Sequence, residues 1–95
     1  MSLPIVLRPE AQADLLAAQH WYEQQRAGLG EAFAEEMFVR IGEMPELYAV
    51  ALRGVRRGKL RRFPYVVYYR VLADRVEVIA VLHGSRNPQA WQDRA

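Results

Sequence analysis

Two groups of residues in this sequence have the side chains to do chemistry. The first is a run of cations. Arg53, Arg56, Arg57, Lys59, Arg61 and Arg62 fall within ten positions, with no acid among them. Like charges at this density repel one another, and two or three would be enough to protect a sheet edge from unwanted pairing. Guanidinium groups bind carboxylate or phosphate through paired hydrogen bonds. The run therefore marks a surface that meets something anionic, and Arg70 extends it on the same side. The second group is His83 with Arg86 three residues on. An imidazole titrates near neutral pH and can move a proton, while Arg86, Arg61 or Lys59 can hold a phosphate. The plain alternative for His83 is a strand-end histidine bonded to a local carbonyl or to water. His20 sits among polar residues on a helix and suggests no chemistry. Two isolated histidines and no cysteine make no metal-ligand set. Gly28-Leu29-Gly30 is not a phosphate loop, because no strand precedes it and no Gly-Lys-Ser/Thr follows. No cofactor is expected.

These residues need elements to position them. Ile5-Val6-Leu7 reads as a first strand. Pro9 suits the first turn of a helix and Glu10 suits its positive end. That helix runs to about Gln25, with Ala11, Leu15, Ala18 and Tyr22 on one face. Trp21 widens this face, so Trp21, Tyr22 and Tyr65 read as core. Gly28 and Gly30 permit a tight reversal. A second helix follows from about Glu31 to Met44, with Phe33, Met37, Ile41 and Met44 as its stripe and Phe38 beside it. Pro45 ends it. So short a connection makes an antiparallel helix hairpin.

After Tyr48 the period changes from 3.6 to 2. Strands are expected around Val55–Leu60, Phe63–Leu72 and Arg75–Leu82, with Ala73-Asp74 turning the last two into a hairpin. In the middle strand Phe63, Tyr65, Val67, Tyr69 and Val71 share the face expected under the helices. Arg62, Val66, Tyr68 and Arg70 share the other face, expected to be open because it carries the charge. Tyr68 there can stack a base or pack beside Arg70. The expected class is α+β in the order βααβββ: a helix hairpin on one face of a small, mostly antiparallel four-stranded sheet.

The 95 residues suit one domain, 1–95, and 52% hydrophobic with 25% charged residues are the values of a globular chain. No apolar run approaches the roughly 20 residues of a membrane span, and Met1-Ser2-Leu3-Pro4-Ile5 lacks the basic start and apolar core of a signal peptide. A cytoplasmic protein with no membrane partner is expected. The net charge of +2 hides an asymmetry. Residues 1–50 hold three bases against eight acids, a net of −5, and residues 51–95 hold ten against three, a net of +7. Two faces with different partners follow from this.

Nearly end to end, the chain resembles the RelE/ParE superfamily of bacterial type II toxins. The resemblance rests on Ala11-x-x-Asp14-Leu15 with Trp21-Tyr22, and on Gly28-Leu29-Gly30-x-x-Phe33. It continues through Pro45 and Tyr48 to Arg61-Arg62-Phe63-Pro64-Tyr65-x-x-Tyr68-Tyr69. It ends with Val78-x-Ala80-Val81-Leu82-His83-Gly84-Ser85-Arg86-Asn87-Pro88, then Trp91 and Arg94. The ordered set carries the signal, since no single piece is specific. It implies a small toxin of an addiction or plasmid-stabilisation pair, neutralised by an antitoxin that wraps it. ParE-like members inhibit DNA gyrase. RelE-like members are ribosome-dependent endonucleases that cut messenger RNA, which requires acid–base groups and cations at the scissile phosphate. The resemblance to that branch would give His83 and Arg86 the catalytic parts. The RelE-like branch carries an arginine where this chain has Val66, and often a C-terminal tyrosine, whereas no tyrosine follows Tyr69 here. Phe63-Pro64-Tyr65 and His83-Gly84-Ser85-Arg86 lean towards ParE. Binding to gyrase, cleavage of message on the ribosome, and a non-toxic partner module of the same fold stay open as readings.

Overall fold

In a computed structural model the described residues are 3–43 and 45–95. The expectations for Met1 and Ser2, and for Met44 in the second helical stripe, fall outside them. The elements run β1 (Ile5–Leu7), α1 (Pro9–Gln25), α2 (Leu29–Glu43), β2 (Val50–Leu52), β3 (Val55–Lys59), β4 (Tyr65–Val71), β5 (Val76–His83) and α3 (Gln89–Gln92). The sheet has five strands in the order β1-β5-β4-β3-β2. β1 pairs with β5 in parallel, and the other neighbours are antiparallel. The α+β layering holds, with one strand and one short helix more than the sequence reading provides.

The extra strand exists because of a turn. Leu52 pairs with Val55 across the two-residue loop Arg53-Gly54. Both loop residues have positive φ, 52° at Arg53 and 77° at Gly54. That backbone matches the right-handed twist of the flanking strands and so closes a tight hairpin.

Pro9 opens α1, and Ala11, Leu15 and Ala18 are its buried positions. Glu23 reaches from its last turns to the start of α2, where its carboxylate accepts the N–H groups of Gly28 (2.9 Å) and Gly30 (3.0 Å). Free helix N-terminal N–H groups favour such an acid. Gly28 has φ +89° as the reversal requires. Gly30 does a different job from the one expected. It lies inside α2, where a Cβ would meet the Gln19 carbonyl oxygen at 2.5 Å, so glycine is what lets the two helices approach.

Phe33, Met37 and Ile41 of α2 pack with Phe63, Val67, Tyr69, Val76, Val78 and Val81 between the hairpin and the sheet. Tyr22, Phe33, Phe63 and Tyr65 meet ring to ring, with centroids 4.8–6.0 Å apart. The other sheet face is not open, contrary to the expectation from its charge. Val55, Val66, Tyr68, Ile79, Ala80 and Leu82 form a second core there under Trp91 of α3. The Trp91 ring stacks on Tyr68 at 4.8 Å and 16°. A bulge makes this possible. The β4–β5 register passes from Tyr68↔Ala80 to Tyr69↔Val78, which leaves Ile79 as the extra residue. A bulge shifts the alternation of side chains by one. Val76, Val78 and Val81 therefore face the hairpin, while Ala80 and Leu82 face α3.

Candidate functional site

β3 decides what becomes of the basic run. Successive side chains of a strand point to opposite faces. Arg56 and Gly58 fall on the hairpin side, and Arg57 and Lys59 fall beside Tyr68 and Val66, their partners on β4. Arg56 is half-buried, and its guanidinium donates to the carbonyls of Glu46 (3.1 Å) and Tyr48 (2.7 Å). It holds the approach to β2 and is not available to a ligand. Arg53 shapes the hairpin turn, and its carbonyl accepts a hydrogen bond from Nε of Arg70 (3.1 Å). Arg61 and Arg62 are exposed, but their backbone N–H groups donate to the Glu36 carboxylate of α2, and Arg62 Nε lies 3.6 Å from it. Five of the seven predicted cations are thus tied by backbone or side chain to structural partners. Arg57, 5.7 Å above the Tyr68 ring, and Lys59 remain as the pair facing outward.

That pair lines a groove of about 380 Å³ with Pro64, Tyr65, Val66, His83, Gly84 and Ser85. Strand pairing brings the histidine here, because Tyr65 pairs with His83 at the end of the β4–β5 ladder. Nδ1 of His83 accepts the Ser85 backbone N–H (3.0 Å) and lies 2.8 Å from Ser85 Oγ. With Nδ1 occupied as an acceptor, the proton of the neutral ring sits on Nε2. The floor is Val66, at 1% exposure. Two cations and a ring N–H around an apolar floor can bind an anion.

A second groove of about 280 Å³ lies on the hairpin side of the same sheet end, and Tyr65 and His83 line both. Asp14, Ala17, Ala18, Trp21, Val81 and Arg86 line the rest. Arg86 is exposed, and its backbone N–H donates to the His83 carbonyl (2.9 Å), closing the turn that carries it. The structure thus brings His83 together with Arg57 and Lys59 on one side and with Arg86 on the other. It leaves Arg53, Arg56 and Arg70 beside the β2–β3 hairpin and Arg61 and Arg62 against α2. Trp21 is not core. It stands 54% exposed, edge-on to Tyr22. Burial raises the pKa of Tyr22, with the Tyr65 hydroxyl adding to the rise.

The sequence reading missed the Asp14–Arg94 clamp. Arg94 meets both oxygens of Asp14, at 2.6 and 3.3 Å, and the Asp14 carboxylate also accepts the Val81 N–H (3.1 Å). Arg8 donates to the Arg94 carbonyl (2.6 Å). The only sequence signal was a lone acid on an otherwise apolar stretch of α1. Among the described residues no group of His, Cys, Asp and Glu is placed to hold a metal, and no helix is long and apolar enough to cross a membrane.

A family model described as the ParE toxin of the type II toxin–antitoxin system, parDE, matches residues 5–88. Toxin ParE2 of Mycobacterium tuberculosis, in strains CDC 1551 and H37Rv, is 34% identical over 58 residues, which is 61% of this chain and 55% of the relative. The chain spans about half the length of the curated relatives it matches. A solved structure of a chromosomal ParDE TA system from P. aeruginosa superposes with a TM-score of 0.68 at 16% identity, over 85% of this chain and 95% of that one. That likeness shows the shared fold, and the family match over residues 5–88 shows the membership: this chain belongs to the ParE toxin family of type II toxin–antitoxin systems.

Proposed function

We propose that this ParE-type toxin arrests growth by binding DNA gyrase in the cytoplasm and is neutralised by a cognate antitoxin. Val66 carries the reading. It sits buried on the floor of the Arg57–Lys59–His83 groove, at the position where the resemblance to RelE-like nucleases calls for an arginine. An apolar floor gives nothing to a phosphorane, whose developing charge needs donors aimed at it. The same groove suits the acidic surface of a protein. The antitoxin segment that holds the toxin is disordered when free and orders on binding. Exposed Leu47, Val50 and Leu52 along the β2 edge give it apolar contacts, and strand edges accept such segments.

A second reading, ribosome-dependent cleavage of message, draws on one observation: Arg57, Lys59 and the Nε2–H of His83 share a groove. One pair of assays separates the two. Expression of the toxin alone stops growth, and co-expression of the antitoxin restores it. Purified toxin blocks supercoiling by gyrase and leaves ribosome-bound message intact. Codon-specific cuts that disappear with His83→Ala or Arg86→Ala would reverse the ranking. Normal growth at high soluble toxin levels would leave only a non-toxic partner module.

A further inference from the structure

We propose that the groove between α1 and the end of β5 is a separate docking site for a protein segment that carries an aromatic side chain next to a carboxylate. Four observations carry this. Trp21 is more than half exposed, although Tyr22 beside it packs into the core. A large exposed aromatic next to an arginine is the composition of residues that dominate binding at protein interfaces. Ala17 and Ala18 keep the α1 side low, so that the Trp21 and Tyr65 rings and Arg86 stand around a pocket of about 280 Å³. That is below the roughly 300–1,000 Å³ of sites that enclose a drug-sized ligand, and it fits one side chain with its neighbour.

Charge selects the neighbour. Asp14, the one acid in the lining, is neutralised by Arg94 at 2.6 Å. Among the described residues Arg86 makes no ion pair. With Asp14 paired, the charge the groove offers an incoming segment is the Arg86 guanidinium, with the His83 ring beside it, and these attract a carboxylate.

The strand edge selects the mode of entry. β1 pairs with β5 only at Val76–Val78, so the edge of β5 beyond them has no strand neighbour. The Val81 N–H on that edge already donates to Asp14. An added strand would lack this donor, and the segment therefore enters by its side chain, not by main-chain pairing. This site does not depend on whether gyrase is the target.

The test is a titration of the full ¹⁵N-labelled chain with three blocked dipeptides: Asp-Phe, Asn-Phe and Asp-Ala. Trp21 and buried Trp91 give two indole N–H signals, one a reporter and the other an internal control. Asp-Phe shifts the Trp21 signal and leaves Trp91 unmoved. Asn-Phe binds about threefold more weakly, as the loss of an exposed charge pair allows, and Asp-Ala does not register. Arg86→Gln brings Asp-Phe and Asn-Phe to the same affinity, and Trp21→Ala, followed by the backbone amides of Ala17 and His83, removes binding of both. An unmoved Trp21 signal at roughly 10 mM Asp-Phe, ten times a Kd of 1 mM, overturns the proposal. Equal affinity of Asp-Phe and Asn-Phe for the parent chain overturns it as well. A Trp21 signal that moves with protein concentration alone assigns the groove to a second copy of the chain, which also overturns it.

Discussion

Arg56 and Arg57 are neighbours of the same type with opposite roles. The first has its guanidinium on two carbonyls, and the second faces outward over Tyr68. Hydrogen bonds from a charged group contribute about 1.5–3 kcal/mol each at most, and less where water competes. Arg56→Ala is expected to destabilise the fold by about 1–3 kcal/mol, read from the urea midpoint. Arg57→Ala is expected to cost less than about 1 kcal/mol, the size of an exposed cation–aromatic contact. Tyr69 gives a second prediction. It is fully buried and its hydroxyl donates to the Pro45 carbonyl. Burial pushes its pKa up to about 12 against the lowering effect of Arg56, and Tyr48 adds to the rise. The folded state then holds a proton that the unfolded chain releases near pH 10. The stabilisation is complete below pH 10 and is lost as pH rises from 10 towards 12. Urea midpoints measured between pH 8 and 11 are expected to fall above pH 10 in the parent and to fall less in Tyr69→Phe. Equal slopes would remove Tyr69 as the cause.

At the scale of elements, four residues of α3 convert an open sheet face into a core. Trp91 supplies the cover, and the Arg94–Asp14 clamp with the Arg8 bond ties the segment to α1 and to the start of the chain. Deleting a buried aromatic side chain typically costs about 3–5 kcal/mol, a large share of the roughly 5–15 kcal/mol that holds a domain together. Trp91→Ala is therefore expected to lower stability by about that amount and to expose Val66 and Tyr68. Hydrogen exchange is expected to quicken first in β4 and β5, because α3 covers those strands and α2 does not depend on it. Uniform quickening through the helix hairpin would mean that the two cores do not open separately.

Over the whole molecule, charge is divided by element. The acids gather on the helix hairpin and the cations on the sheet, with Glu36 joining the two through the backbone of Arg61 and Arg62. A partner that approaches the sheet end meets Arg57, Lys59 and Arg86 first. Complementary charge acts on the rate of association more than on the final affinity. Reversing Arg57 and Lys59 to glutamate, with Arg56 kept because it holds β2, is expected to slow association with the antitoxin several-fold at low salt. It should also flatten the salt dependence and change dissociation little. Association rates that match the parent at both low and high salt would assign the pair to the cellular target alone.

The sequence by itself determined what repeats along the chain. The helical spacing of Ala11, Leu15 and Ala18, and of Phe33, Met37 and Ile41, and the alternation of Phe63, Val67 and Tyr69, each name a buried face. A face is a local property, fixed by residues within a few turns or a single strand. The basic run was legible for the same reason. Tertiary structure decided everything that depends on a partner far along the chain. Strand β2 was hidden because its signal is a turn with positive φ at an arginine, and not an alternating run. The covered face of β4 was hidden because Trp91 covers it from the other end of β5 and its connecting loop. The bulge at Ile79 set the phase of β5, and with it the side of the sheet on which each later residue emerges. Spacing along the chain gives the alternation of side chains, and only pairing with the neighbouring strand shows where that alternation slips.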